Sequence, residues 1–590
     1  MKKRWIVLII VLLVVAAIPA FTIFALPKIQ ALRVDVPSEY HDPGPPIPLP
    51  QGWSDAQRLA FHYTAQGTQI MPYTWFMALE QPCWTLWCGK FADQEYLGRF
   101  GFLAGQKDAR WNPDGLPVGF AKDTKFRNPI TGSSQPVVGF NCAACHTGEL
   151  QYQGKAVRIE GGPAMTNLGE FLKAIGDALI MTDFMPLRYS RFERDVLGPD
   201  ATPADKNALR QEFSAFLKGS VNEVNQGNSR GVYNTTEGFG RTDALARIGN
   251  IVFALDMDNW NNLAPTNAPV RFPQVWDASW FTWVQYNASI SNPMARNVGE
   301  ALGVKAVAKL GGCCAAKLQS TVRFEDLWAL EKLLSGPAPY EGLHSPKWPD
   351  AFPPYDKAKA EQGSKIYHEI CLHCHLPPPN ELQDDLKGKH QYWVMRDGTH
   401  PYLNVKDIPL EAIGTDPNQA LDFYNRTADS GDLKKGCLTA ADGLDYVGKA
   451  MSLNFYNEQK FPPAVQREWS GFQDPMAVGI RATKSYRPRP LNGVWALGTY
   501  LHNGSVPNIF LLLGPAGERP DHFYTGSKKY DPVNLGYEYT EFPGAFLYKT
   551  SATGSGNRGH EFSDTPGPGV IGRALSKDER YAVIEYLKSL

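Results

Sequence analysis

An excess of either charge is missing from this chain: Lys and Arg total 59, Asp and Glu total 60, and the net charge is −1. No basic block occurs beyond Lys2, Lys3 and Arg4, which argues against nucleic acid as a partner. No repeat of fixed period is visible apart from one five-residue motif, so no repeat architecture is indicated. Histidine is scarce in the first half: after His146 the next is His344. Cysteine is scarce too, nine in 590 residues, and four of the nine sit in two matching strings.

Those strings are Cys142-Ala143-Ala144-Cys145-His146 and Cys371-Leu372-His373-Cys374-His375. Both are C-x-x-C-H. The spacing suits covalent haem c, because two thiols add across the two vinyl groups and the next residue supplies an imidazole to the iron. A zinc site drawn from both strings is a rival reading. A thioredoxin-like dithiol is another, but it has no need of His146 or His375. Two covalently bound haems are therefore expected, with His146 and His375 as proximal iron ligands.

Lys2, Lys3 and Arg4 precede an uncharged run, 5–26, whose 22 residues would span roughly 33 Å as a helix, against a hydrocarbon core of about 30 Å. Residues 1–30 are expected to be a transmembrane anchor helix in the inner membrane, with a cleaved signal segment as the alternative; Pro19 could kink or end it. Covalent haem points the same way, to a periplasmic body. Outside the haem motifs, Cys83 and Cys88 are close enough for a small disulfide loop. Vicinal Cys313 and Cys314 are either a strained redox pair or bridge elsewhere, Cys437 being one candidate partner.

The expected fold is mainly α: two cytochrome c-like haem domains with long irregular insertions, after the anchor. Six prolines in 34–53 suggest an extended stalk over 31–53. The first haem domain is expected over 54–335, a Pro-rich linker over 336–355 and the second haem domain over 356–590. Residues 54–80, 203–221, 324–334 and 357–371 look helical, whereas Val137-Val138-Gly139-Phe140 reads as extended. Gly363, Tyr367 and Cys371 fall on one face of a helix that runs into the second motif. Ser576 and Glu579 form a capping box opening a last helix with Val583, Ile584 and Leu587 on its apolar face.

Function turns on the second axial ligand of each iron, because an iron with two strong protein ligands mainly passes electrons. For the first haem, only the thioethers Met165, Met181 and Met185 lie nearby in sequence, so an open or weakly held site is expected. For the second, His390, His400, Met451, Met476, His502, His522 and His560 all follow. His560 is favoured: it stands 16 residues before Ser576, where a class I cytochrome carries its distal ligand.

Leu491-Asn492-Gly493-Val494-Trp495-Ala496, running on into Tyr500-Leu501-His502-Asn503-Gly504-Ser505-Val506-Pro507, together with the haem motifs, resembles the dihaem cytochrome c peroxidase/MauG superfamily. Asn292-Pro293-Met294-Ala295-Arg296-Asn297-Val298-Gly299-Glu300 and Gly559-His560-Glu561-Phe562 are closer to its large, rubber-oxygenase-like (RoxA-like) branch. The resemblance implies one reactive haem, one bis-ligated electron reservoir and an aromatic residue between them. That aromatic is expected within 276–283, with Trp280 and Trp283 leading. Glu300 matches the distal acid region, where a carboxylate moves a proton, and His502 would hydrogen-bond a propionate or shape the interface between the halves. The peroxidases place a Met shortly after the His502 string; here 510–516 contains none, which supports His560. Three readings follow: an oxygenase using dioxygen on an apolar organic substrate, a peroxidase using hydrogen peroxide with a small periplasmic electron donor, and a non-catalytic electron-transfer cytochrome.

Overall fold

The structure, a computed structural model, describes residues 34–39, 43–85, 87–312 and 318–590. The anchor expected over 1–30 and the pair Cys313 and Cys314 lie outside them. Among the described residues no helix is long and apolar enough to cross a membrane. The longest, Pro203–Ser229, carries charge along its length.

The mainly-α expectation is corrected. Helices make up 39% of the described residues, and strands of two to six residues form nine small sheets among them. Segments read as irregular insertions pair locally instead. A pattern search for helices sees long amphipathic faces, but a two-residue strand has no period to display.

The first cysteine string is delivered by a strand. Helix α1 (Asp55–Tyr63) starts at a capping box made by Ser54 and Gln57. Behind it β1 (Met71–Pro72), β2 (Phe120–Asp123) and β3 (Val137–Phe140) form an antiparallel sheet with β3 in the centre. All four residues of β3 are buried, which explains a continuous apolar run. Its last side chain, Phe140, packs into a cluster with Phe102, Phe120 and Phe171, largely edge to face. After the haem turn the chain folds into the hairpin β4 (Thr147–Tyr152) and β5 (Lys155–Glu160). The end of the stretch read as a stalk packs here, with Ile47 and Pro48 pairing parallel to β5 and Leu49 and Trp53 buried.

The second string is delivered by a helix. Helix α2 (Lys357–Ile366) continues through a wider turn to Cys371, and the last helix, α3 (Lys577–Ser589), crosses it. Both hydrogen bonds of the Ser576–Glu579 capping box are present. At the crossing, a Cβ on Gly363 would stand 1.9 Å from the carbonyl oxygen of Ala582, so only glycine fits.

The apolar core runs in two main clusters. One joins α1, the β1–β3 sheet and Phe171 to Ile366, Ile370, Trp495, Val583 and Leu587. The other joins 245–327 to 376–480. Both therefore combine residues from either side of 336–355, and Phe352 in that segment is itself buried against Trp495 and Tyr530.

Candidate functional site

Asn141 shapes the first site. Its side-chain oxygen accepts from the backbone of Ala143, and its amide donates to the carbonyls of Phe61 and Thr64, pinning the turn to α1. Gln66 donates to the Cys142 thiol at 2.9 Å. His146 Nδ1 lies 2.8 Å from the Pro273 carbonyl, so Nδ1 carries the proton and Nε2 keeps its lone pair. Burial pushes His146 down to about 4 and both thiols up to about 12.

Cys142, Cys145 and His146 open on a cavity of about 1430 Å³ of atom-free space, solvent at its mouth included. Five arginines line it: Arg247, Arg271, Arg296, Arg487 and Arg489. Arg247 is paired with Glu237 and Arg296 with Glu331. Arg487 and Arg489 have no such carboxylate partner among the described ion pairs, and Arg487 Nη1 is buried without a hydrogen bond. Burial, then mutual repulsion, lowers Arg487 to about 9, and burial lowers Arg489 to about 10. Two buried guanidinium groups in one wall call for an anion. A haem with its two propionates fits this donor set, this volume and the thiol pair.

At the second site, His375 Nδ1 lies 2.8 Å from the carbonyl of Arg489. His560 is set by a strained backbone at φ +46°, and Arg519 donates to its carbonyl at 2.9 Å. The ring centres of His375 and His560 lie 6.0 Å apart. An iron between two imidazoles, with metal–nitrogen bonds of about 2 Å, separates the ring centres by roughly 6 Å. Burial, with His375 and Arg519 nearby, lowers His560 to about 3, so it stays neutral, and one of its ring nitrogens is buried without a partner. Cys371, pushed up to about 12 by burial, and Cys374 complete the set. Among the described residues no three His, Cys, Asp or Glu side chains converge as a bare metal site requires.

Arg489 joins the two sites. Its carbonyl serves His375, and its guanidinium donates to the carbonyls of Gln274 and Trp276, next to the Pro273 carbonyl that serves His146. Trp276 is buried, its Nε1 donating to Asn492 at 3.0 Å. Trp280 and Trp283 are placed elsewhere: Trp280 donates to Ser335 and lies near Tyr402, and Trp283 packs under Arg481. The aromatic tied to both proximal segments is thus Trp276. Sequence reasoning also passed over Arg487 and Arg489, although Arg487-Pro488-Arg489-Pro490 stands directly before the 491–496 string.

Glu300 lines the first cavity with Arg296 and Asn297. Burial raises its pKa, and Arg296 partly offsets this. His502 does not line that cavity. It stacks on Tyr486 at 4.1 Å and is lowered to about 3 by burial and by Arg271. Met165 belongs to the first core cluster and also lies outside the cavity lining.

Thiol pairs followed by buried imidazoles, beside unmatched buried cations, define a c-type haem protein with redox chemistry. A family model described as RoxA-like, cytochrome c-like, matches residues 485–524, the stretch holding Arg487, Arg489, Asn492 and His502. The chain belongs to the family of the uncharacterized protein y4iJ of Sinorhizobium fredii (strain NBRC 101917 / NGR234), with 43% identity over 569 residues, 92% of this chain and 93% of that one. A second protein of that strain, the uncharacterized y4iM, is 46% identical over 56 residues, 10% of this chain and 13% of its own.

Proposed function

We propose that this protein is a periplasmic two-haem oxidoreductase with divided labour. The haem of Cys142, Cys145 and His146 is the reactive centre for an oxidant containing an O–O bond. The haem of Cys371, Cys374 and His375, closed by His560, stores and passes electrons. One asymmetry carries this reading: His375 faces His560 with ring centres 6.0 Å apart, while the cavity at His146 has no second His and no Met in its lining.

When bound, haem supplies an iron that exchanges single electrons and, where an axial position is open, takes a small oxygen ligand. The chain's own residues do the rest. Pro273 and Arg489 orient the proximal imidazoles through their carbonyls. Arg487 and Arg489 would hold the propionates. Glu300, its pKa raised by burial, is the carboxyl group in the cavity wall that would pass a proton to a bound oxidant. Trp276, hydrogen-bonded to Asn492 and Arg489, would be the aromatic residue that passes electrons between the haems. Dioxygen is the oxidant favoured by the RoxA-like stretch. Hydrogen peroxide is the second reading, favoured by Glu300 and Arg296 in the wall. An organic substrate and a small periplasmic electron donor complete the scheme. The periplasm is supported by covalent haem and by the Cys83–Cys88 disulfide, which needs an oxidising compartment.

Electron paramagnetic resonance of the oxidised full-length holoprotein tests this. One high-spin and one low-spin signal are expected; His560→Ala should convert the low-spin signal, and His146→Ala should abolish the high-spin one. An entirely low-spin protein, inert to dioxygen, carbon monoxide and peroxide when reduced or oxidised, would refute the reading.

A further inference from the structure

The helix Pro293–Gly303 separates two spaces of opposite chemistry. Arg296, Asn297 and Glu300 line the haem cavity, whereas Ala295, Val298, Gly299 and Leu302 line a smaller cavity behind the helix. The smaller one holds about 390 Å³ of atom-free space, and the centre of a water-sized molecule reaches about 20 Å³ of it. By that measure a single water needs roughly 10–15 Å³, so there is room for one or two small molecules. Every lining residue is apolar, including Phe423, Leu444 and Ile480 from the facing elements. A Cβ built on Gly299 meets nothing within 4 Å, which puts open space directly against the helix backbone.

The two spaces share one side chain, Ile248. Gly303, in the haem-cavity lining, would place a Cβ 2.5 Å from Ile248 Cγ1, so the absence of that Cβ lets the isoleucine lie in the wall. Ile248 is thus the residue at which the two cavities adjoin.

We propose that the smaller cavity is a chamber for dioxygen, which passes to the haem cavity by rotation of Ile248. This rests on the reading of the His146 haem as the reactive centre. Water needs two to four polar partners, and no lining side chain offers one. Hydrogen peroxide would leave its hydrogen bonds behind on entry, an uncompensated cost. Dioxygen has none to lose. The chamber therefore selects dioxygen over peroxide as the species held behind the wall of the haem cavity.

Xenon is the probe, a non-polar sphere that needs no chemistry to bind. Crystals of the full-length holoprotein under xenon pressure should show it beside Gly299. Gly299→Ala, which adds a methyl group there and favours the helix, should exclude it. In the same variant, dioxygen and carbon monoxide should bind the reduced haem several-fold more slowly, while the reaction with peroxide keeps its rate; Ile248→Val should speed gas binding. A wild-type chamber without xenon, or equal gas-binding rates in wild type and Gly299→Ala, overturns the proposal. Xenon in the chamber of a protein whose reduced haems bind no carbon monoxide overturns the open-haem reading and the passage built on it.

Discussion

Gly363→Ala sets two rules against each other. Helix propensity alone predicts a gain of about 1 kcal/mol, because alanine is the better helix former. The crossing of α2 and α3 predicts a loss. The new Cβ would lie 1.9 Å from the oxygen of Ala582, 2.4 Å from its carbonyl carbon and 2.8 Å from the nitrogen of Val583. All three are backbone atoms, so no rotamer relieves the overlap, and the helices must draw apart. Overpacking of this kind costs about 1–3 kcal/mol, and a backbone clash belongs at the upper end. The net is a loss of about 2 kcal/mol, roughly thirtyfold in the folding equilibrium. Because α2 runs directly into Cys371 and α3 carries Val583, Ile584 and Leu587 against it, the damage should reach the second haem. Guanidinium unfolding of the holoprotein, followed by haem absorbance, should show an earlier midpoint, and the low-spin signal should weaken. A variant as stable as wild type with an unchanged low-spin signal would refute the reasoning.

Glu300→Gln should slow reaction of the His146 haem with its oxidant by about a hundredfold, the lower end for a lost general acid, with haem content unchanged. The proton-bearing form of Glu300 is present below its raised pKa and is lost as pH rises through it, so the wild-type rate should fall with rising pH and the variant's should stay flat in stopped-flow traces. Glu331→Ala leaves the buried Arg296 without its ion-pair partner, and a broken buried pair costs about 3–5 kcal/mol, measurable by denaturant titration. Burial alone would raise the Glu331 pKa, but Arg296 and hydrogen bonds from Ser279 and Asn297 outweigh it and the pKa is lowered. Its stabilisation is therefore present above the ordinary carboxylate pKa and lost as pH falls through the depressed one. Wild type should lose stability over that acid range, and Glu331→Ala should lack that part of the loss.

What could be read from the sequence was chemistry tied to spacing. The thiol pairs, the capping box at Ser576, the glycine face at 363 and the extended approach to Cys142 each follow from side-chain types at fixed intervals. The ring of His560 stands 6.0 Å from that of His375. Interactions that use the backbone were invisible. The carbonyls of Pro273 and Arg489 are no different in sequence from any others, yet they orient both proximal imidazoles. Within 276–283 the sequence favoured Trp280 and Trp283, and nothing in it shows that Trp276 is the indole donating to Asn492. The strand content escaped because its units are too short to show alternation. The cores that join both sides of 336–355 escaped because a proline-rich stretch reads as a linker until Phe352 is seen among its neighbours.

Arg489 makes a single mechanical element of two attachment points. From the ring of His146 to the ring of His375 the route crosses three hydrogen bonds and only Pro273, Gln274 and Arg489. The strength with which a carbonyl takes the Nδ1 proton sets how much electron density its imidazole gives to a metal. A guanidinium that pulls on the Gln274 carbonyl while its own backbone serves the other ring ties those two strengths together. A displacement of residues 273–276 against 487–492 would therefore shift the settings of both rings together.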